Sequence, residues 1–139
     1  MYLTYADYQS MGGALDETTF NLYEFEAEAL INWYTFNRLK SNTSFPQEVS
    51  KCMYVLISLI EKKENASTLG YSTDGSSGSN LSVTSQSNDG VSISYNTVSA
   101  QSIVESMEAA CKDTIQKFLN GVVNELGQKL LYRGLYPNE

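Results

Sequence analysis

The chain has 139 residues, with nine Lys+Arg against sixteen Asp+Glu, no histidine and a formal charge of −7, a size that makes one domain needing no disulfide or metal staple. The acidic balance argues against an electrostatic grip on nucleic acid, and the missing imidazole excludes His-based zinc sites and Ser-His or Cys-His nucleophile pairs. The opening residues carry no basic-then-apolar leader and no apolar run approaches the ~20 residues of a bilayer span, so an intracellular protein off the membrane is expected.

Thr4, with Asp7 three residues on, caps a short helix predicted over 4–11, and Gly12-Gly13 stops it. Asp16 then opens a long helix over 17–39. Phe20, Tyr23, Ala27, Leu30 and Tyr34 form one apolar stripe of this helix, and Leu22, Phe25, Ala29, Trp33 and Phe36 form a second. So wide an apolar face must be covered on more than one side, by its own domain or by a neighbour. Glu24, Glu26 and Glu28 fall on the remaining face. Ser44 as cap and Pro46 in the first turn start a third helix over 46–64, with Val49, Cys52, Met53, Leu56, Leu59 and Ile60 at helical period and Glu61 to Glu64 closing it in water.

The next stretch is poor in charge and rich in Ser, Thr, Asn and Gly. Gly70 to Asn80 reads as a flexible loop. Leu81, Val83 and Ser85, then Val91, Ile93 and Tyr95, alternate on either side of Asp89-Gly90, which predicts a β-hairpin pairing 81–86 with 91–95. A lone hairpin is marginal in water, so this one must pack on the helices or dock on another chain. Ile103, Met107, Ala110, Cys111, Ile115, Phe118 and Val122 mark a last helix over 100–120, with Gly121 or Gly127 at its decay. The segment from Lys129 to Pro137 is apolar, aromatic and broken by Gly and Pro. The fold expected is therefore mainly α, a small bundle of three to four helices with a long polar loop and a β-hairpin inserted before the last helix. Within a single domain of 1–139, the helical region is 1–65, the loop and hairpin 66–98, the last-helix segment 99–128 and the C-terminal arm 129–139.

Few residues announce chemistry. Glu24/Glu28 and Glu61/Glu64 have helical spacing, but a catalytic carboxylate needs burial to shift its pKa, and a solvated acidic face is expected. Glu105 and Glu108 suit the start of a helix dipole. The Ser-rich loop lacks a phosphate-cradle pattern and no serine stands in GxSxG. No catalytic, cofactor-binding or metal-ligating residue is assigned, and no enzyme is expected. Cys52 and Cys111 match neither a disulfide framework nor a metal motif and read as buried thiols. Tyr2, Tyr5, Tyr8, Tyr23, Tyr34 and Tyr54 read as core or core-edge residues. Tyr132 and Tyr136 have two readings, a tail folded back on its own helices or an interface anchor.

Taken in order, several segments resemble one family. They are Met1 to Tyr8 with Gly12-Gly13, Asp16 to Phe20, Tyr34 to Leu39, Phe45-Pro46, Val49 to Tyr54, Val83 to Tyr95, and Leu130 to Gly134. The pattern is similar to small head–tail connector proteins of long-tailed bacteriophages and prophages, and it spans nearly the whole chain. The stretch 67–80 departs from that pattern as an expansion.

The resemblance implies a non-enzymatic virion protein. Such adaptors are mostly helical, form a ring, usually of twelve copies, below the portal, and extend the DNA channel toward the stopper or tail. Genomic DNA passes through the lumen without sequence-specific binding. Assembly takes place in the bacterial cytoplasm, and the final location is the neck of the virion. The implied portal contact falls on Leu131, Tyr132, Arg133, Leu135 and Tyr136. The implied contact with a ring neighbour or the next connector falls on Val83, Asn88, Asp89, Gly90, Val91, Ile93 and Tyr95. On this reading the arm is separable, and deleting 130–139 leaves subunit stability nearly unchanged. Two other classes compete: a small acidic binding module, chaperone- or regulator-like, holding a partner on its apolar helical face, and a small hydrolase, which would need a polar pocket.

Overall fold

The computed structural model describes residues 1–70, 82–87, 92–96 and 100–136. Among them are four α-helices, α1 (Tyr5–Ser10), α2 (Glu17–Tyr34), α3 (Gln47–Gly70) and α4 (Ala100–Leu119), and two strands, β1 (Ser82–Ser87) and β2 (Ser92–Asn96), inserted before α4. The protein is mainly helical, a small bundle, as the periodicities predict.

Local chemistry sets the first two helices. The Thr4 hydroxyl accepts the Asp7 N–H, and Asp16 accepts those of Thr18 and Thr19, so each helix opens with its free donors satisfied. Gly12, at φ 94°, turns the chain out of α1. Gly13 lies so close to the Tyr8 ring that a Cβ there would sit 2.1 Å from a ring carbon. That contact packs the turn against the core.

α3 is the central element and packs against both α2 and α4. Its Val49, Cys52, Met53, Leu56, Ile57 and Ile60 are buried, facing Phe20, Ala27 and Ile31 of α2 and Cys111, Ile115 and Leu119 of α4, with Leu3, Leu39 and Leu130 completing the core. Both thiols are free and buried. The α1 tyrosines join in, with Tyr8 4.9 Å from Phe20 and 5.6 Å from Tyr54 between ring centroids.

Several boundaries differ from expectation, each for a local reason. α2 ends at Tyr34, five residues before the predicted 39, because Phe36 and Asn37 both take left-handed conformations, at φ 54° and 60°. The Asn37 N–H then reaches the Asn32 carbonyl and closes the last turn. α3 starts at Gln47 and runs to Gly70, so Glu61 to Glu64 continue the helix and do not end it, with Lys62 and Glu64 exposed and Glu61 and Lys63 half-buried. Ser44 does not cap it; its hydroxyl and N–H go to the Glu125 carboxylate. α4 stops at Leu119 and Gly121 (φ 84°) leads the chain away, so the last helix does not fill 99–128. Because α4 begins at Ala100, Glu105 and Glu108 lie beyond its first turn.

β1 and β2 pair antiparallel, with Val83 opposite Tyr95 and Gln86 opposite Ile93. The register shifts between Val83 and Ser85, a bulge that leaves Thr84 as the extra residue and breaks the uninterrupted alternation expected from sequence. The predicted turn residues Asn88, Asp89 and Gly90, the predicted strand residues Leu81 and Val91, and the 71–80 part of the polar loop lie outside the described residues.

Candidate interaction surface

α2 carries two apolar stripes, and a helix on a bundle can bury only one of them. The stripe that wins is Phe20, Ala27 and Ile31, and Glu24 shares it at the same helical spacing. Glu24 is therefore buried and not solvated as its helix position suggested. Its carboxylate accepts the Tyr2 N–H at 2.9 Å, and burial lifts its pKa above the usual carboxylate value. Glu28 pairs with the Met1 amine, and Glu26 pairs with Lys63 of α3 at 3.0 Å. Tyr2 donates its hydroxyl to the buried Asn32, and burial, with Glu28 nearby, pushes its pKa to about 12. Glu24, Glu26 and Glu28 are thus all engaged by partners on the body of the protein, while Glu17 in the first turn faces solvent.

The second stripe stays outside. Leu22 is 65% exposed, Phe25 73% and Trp33 78%, and Phe36 continues the row past the helix end. From Thr18 to Trp33 the exposed residues are Thr18, Asn21, Leu22, Phe25, Ala29 and Trp33, and none is charged. The other long helices show the ordinary arrangement, with Glu48, Lys51, Lys62 and Glu64 outward on α3 and Glu105, Glu108, Lys112, Asp113 and Lys117 outward on α4. Trp33 borders three clefts. The largest, about 560 Å³, is lined by Trp33, Phe36 and Gln116 together with Leu131 and Arg133 of the C-terminal segment.

That segment is clamped to the domain by a residue that no sequence pattern singled out. The left-handed step at Phe36 and Asn37 aims Arg38 under the tail, where its side chain is 6% exposed. Its guanidinium donates to the carbonyls of Lys129 (3.2 Å), Leu130 (3.3 Å), Tyr132 and Gly134 (2.8 Å). The rings of Phe36 and Tyr136 lie 5.2 and 5.0 Å from it, a contact that suits a planar cation. The Tyr136 hydroxyl accepts the Lys129 N–H at 2.8 Å, and Tyr132 packs on Tyr136. Of the predicted arm residues, Leu131 and Tyr136 are half-buried, while Tyr132, Arg133 and Leu135 face solvent. The structure brings Leu131 and Arg133 together with the α2 stripe in one continuous surface. The arm is not a free extension, because Leu130 is fully buried in the core; this corrects the expectation that 130–139 can be removed without loss of stability.

Between α4 and the tail, residues 122–130 form a tight turn. Leu130 N–H reaches the Val122 carbonyl, Val123 bridges Lys129, and the buried Asn124 side chain accepts the N–H groups of Leu126 and Gln128. The Glu125 carboxylate accepts from four donors, the N–H and hydroxyl groups of Thr43 and Ser44, at 2.8–3.1 Å, and these lower its pKa to about 2. Leu126 projects at the tip, 73% exposed. Of the predicted hairpin residues, Val83, Ile93 and Tyr95 stand in paired strands.

Among the described residues no group of three or more His, Cys, Asp or Glu side chains could hold a metal, and no helix is long and apolar enough to cross a membrane. Burial pushes the Cys52 thiol up to about 12 and raises Cys111 as well, which makes both poor nucleophiles. No protein-family model matches the chain, and no curated protein or solved structure matches it.

Proposed function

We propose that this chain is a structural subunit of a phage head–tail connector, an adaptor that forms a ring below the portal, extends the DNA channel and offers a docking site for the stopper or tail. The carrying observation is the uncharged aromatic outer face of α2, continuous with the C-terminal segment. Leu22, Phe25, Trp33 and Phe36 leave roughly 500 Å² of apolar surface in water. A monomer's largest patch is about 300–600 Å² and is often functional. A subunit finished by its neighbours accounts for such a face, and a net charge of −7 suits a conduit that must not grip passing phosphates. Leu135, Tyr132 and Arg133, exposed on the clamped tail, are the contact offered to the portal, and the β1–β2 hairpin is the contact offered to the next connector.

The reading is tested with DNA-filled heads that lack the connector. Purified chain added to them should bind, retain the DNA and restore tail joining. Leu135→Asp should bind such heads at least about tenfold more weakly with an unchanged melting temperature. Wild-type chain that neither binds heads nor restores tails would overturn the connector and favour the small binding module.

A further inference from the structure

Two uncovered apolar surfaces stand on different elements of this subunit. One is the long outer face of α2, with Trp33 between its clefts. The other is the tip of the 121–127 turn, where Val123 and Leu126 are exposed. This tip is built rigidly. Gly121 and Gly127 supply left-handed corners, and Asn124 ties the Leu126 and Gln128 N–H groups. An ordered loop that holds a leucine in water is organised for contact, since little freedom is left to lose on docking.

We propose that these surfaces are the two halves of one heterologous contact, in which the α2 outer face of one copy of this chain receives the 121–127 turn of a second copy. Charge points to a second copy. Two chains of charge −7 repel wherever carboxylates meet. The α2 face presents no exposed charge from Thr18 to Trp33, and the one carboxylate of the tip, Glu125, is held by Thr43 and Ser44 of its own chain. The carboxylates beside the α2 face, Glu26 and Glu28, are likewise paired within their own chain, with Lys63 and the Met1 amine.

Size agrees. The roughly 500 Å² of apolar surface on α2 supplies the core of a contact whose standard extent is about 800 Å² per partner. Tryptophan at the centre of such a patch is the usual energetic anchor. Because the two halves are unlike, an open assembly keeps one of each available at its two ends, and the contact propagates into a ring or a filament. The proposal deepens the connector reading by naming the seam between its subunits and rests on that reading for closure of the ring.

Trp33 is the single tryptophan of the chain, so its emission reports the covering of this face directly. Wild-type protein should associate in light scattering as concentration rises, with a blue shift and protection from acrylamide quenching over the same range. Trp33→Asp and Leu126→Asp change exposed side chains, so each should keep the helical circular dichroism and melting temperature of the monomer. Each alone should self-associate roughly thirtyfold or more weakly. Mixed at equal concentration they should form a one-to-one dimer, because each retains the half the other lacks. The lone tryptophan in that mixture, in the Leu126→Asp copy, should shift to the blue.

A wild-type chain that stays monomeric and water-exposed at every soluble concentration overturns the proposal. So does an assembly in which Trp33 remains open to acrylamide, or a mixture of the two variants that forms no dimer. Head binding by the same variants keeps the two ideas separate. Absent self-association with heads still bound overturns the seam alone, whereas seam formation without head binding overturns the connector alone.

Discussion

Arg38 replaces its water with four backbone carbonyls and two aromatic rings beneath the C-terminal segment. Hydrogen bonds to a charged group are worth about 1.5–3 kcal/mol, and acceptors left bare cost more than a pair never made. Arg38→Ala should therefore lose about 3 kcal/mol in urea denaturation. Arg38→Lys should recover little of it, since an ammonium cannot fork across several acceptors. Two carboxylates tilt the pH dependence in opposite directions. Burial raises Glu24 above its ordinary 4.5, so the folded state keeps that proton longer and stability falls as pH rises from 4.5 to the raised value. Glu125, held at about 2 against 4.5 by the Ser44 and Thr43 N–H groups, does the reverse. Its contribution is complete above 4.5 and disappears as pH falls through 2. Glu125→Gln should flatten the acid limb of a stability curve, and Glu24→Gln should remove its share of the decline above 4.5. Denaturant midpoints across pH check both, and an unchanged slope in either variant refutes that carboxylate's role.

At the scale of elements, the end of α2 decides where the tail can go. A left-handed residue after the last turn lets Arg38 leave the helix axis and reach the C-terminal carbonyls. Asparagine tolerates that conformation and a β-branched residue does not. Asn37→Val should cost about 1–2 kcal/mol, whereas Asn37→Gly should be neutral or slightly stabilising, as thermal unfolding of both would reveal. Equal melting temperatures for the two would mean that the left-handed step is not a constraint. α3 offers the contrasting case of an element defined by burial. Leu56, fully buried between α2 and α4, should lose about 2–5 kcal/mol on truncation to alanine.

For the whole molecule, the tail is part of the fold and also part of the outer surface. Removing 130–139 strips the buried Leu130 and three of the four carbonyl acceptors of Arg38 together, and it should lower the melting temperature by about 10 °C or more. Leu135→Ala, on a side chain almost fully in water, should leave the melting temperature unchanged. A truncated chain that melts like wild type would mean that the clamp contributes nothing to the subunit.

The helices, their order and the two buried thiols were legible in the sequence because each depends on local periodicity and capping: Thr4, Asp16, and the α3 row from Val49 to Ile60. Both stripes of α2 were legible too. Which of them would face water was not, because period alone cannot rank two apolar faces on one helix. Tertiary packing decided it by setting Phe20, Ala27 and Ile31 against α3, which carried Glu24 inward to the Tyr2 N–H and left Phe25 and Trp33 outside. The same holds for Arg38, Glu125 and Leu126. Arg38 meets partners more than 90 residues away and Glu125 meets Thr43 across 82, separations over which no local pattern carries information. The sequence by itself determined the elements. Only the packing of distant segments decided which polar groups are satisfied inside and which apolar groups are left for a partner.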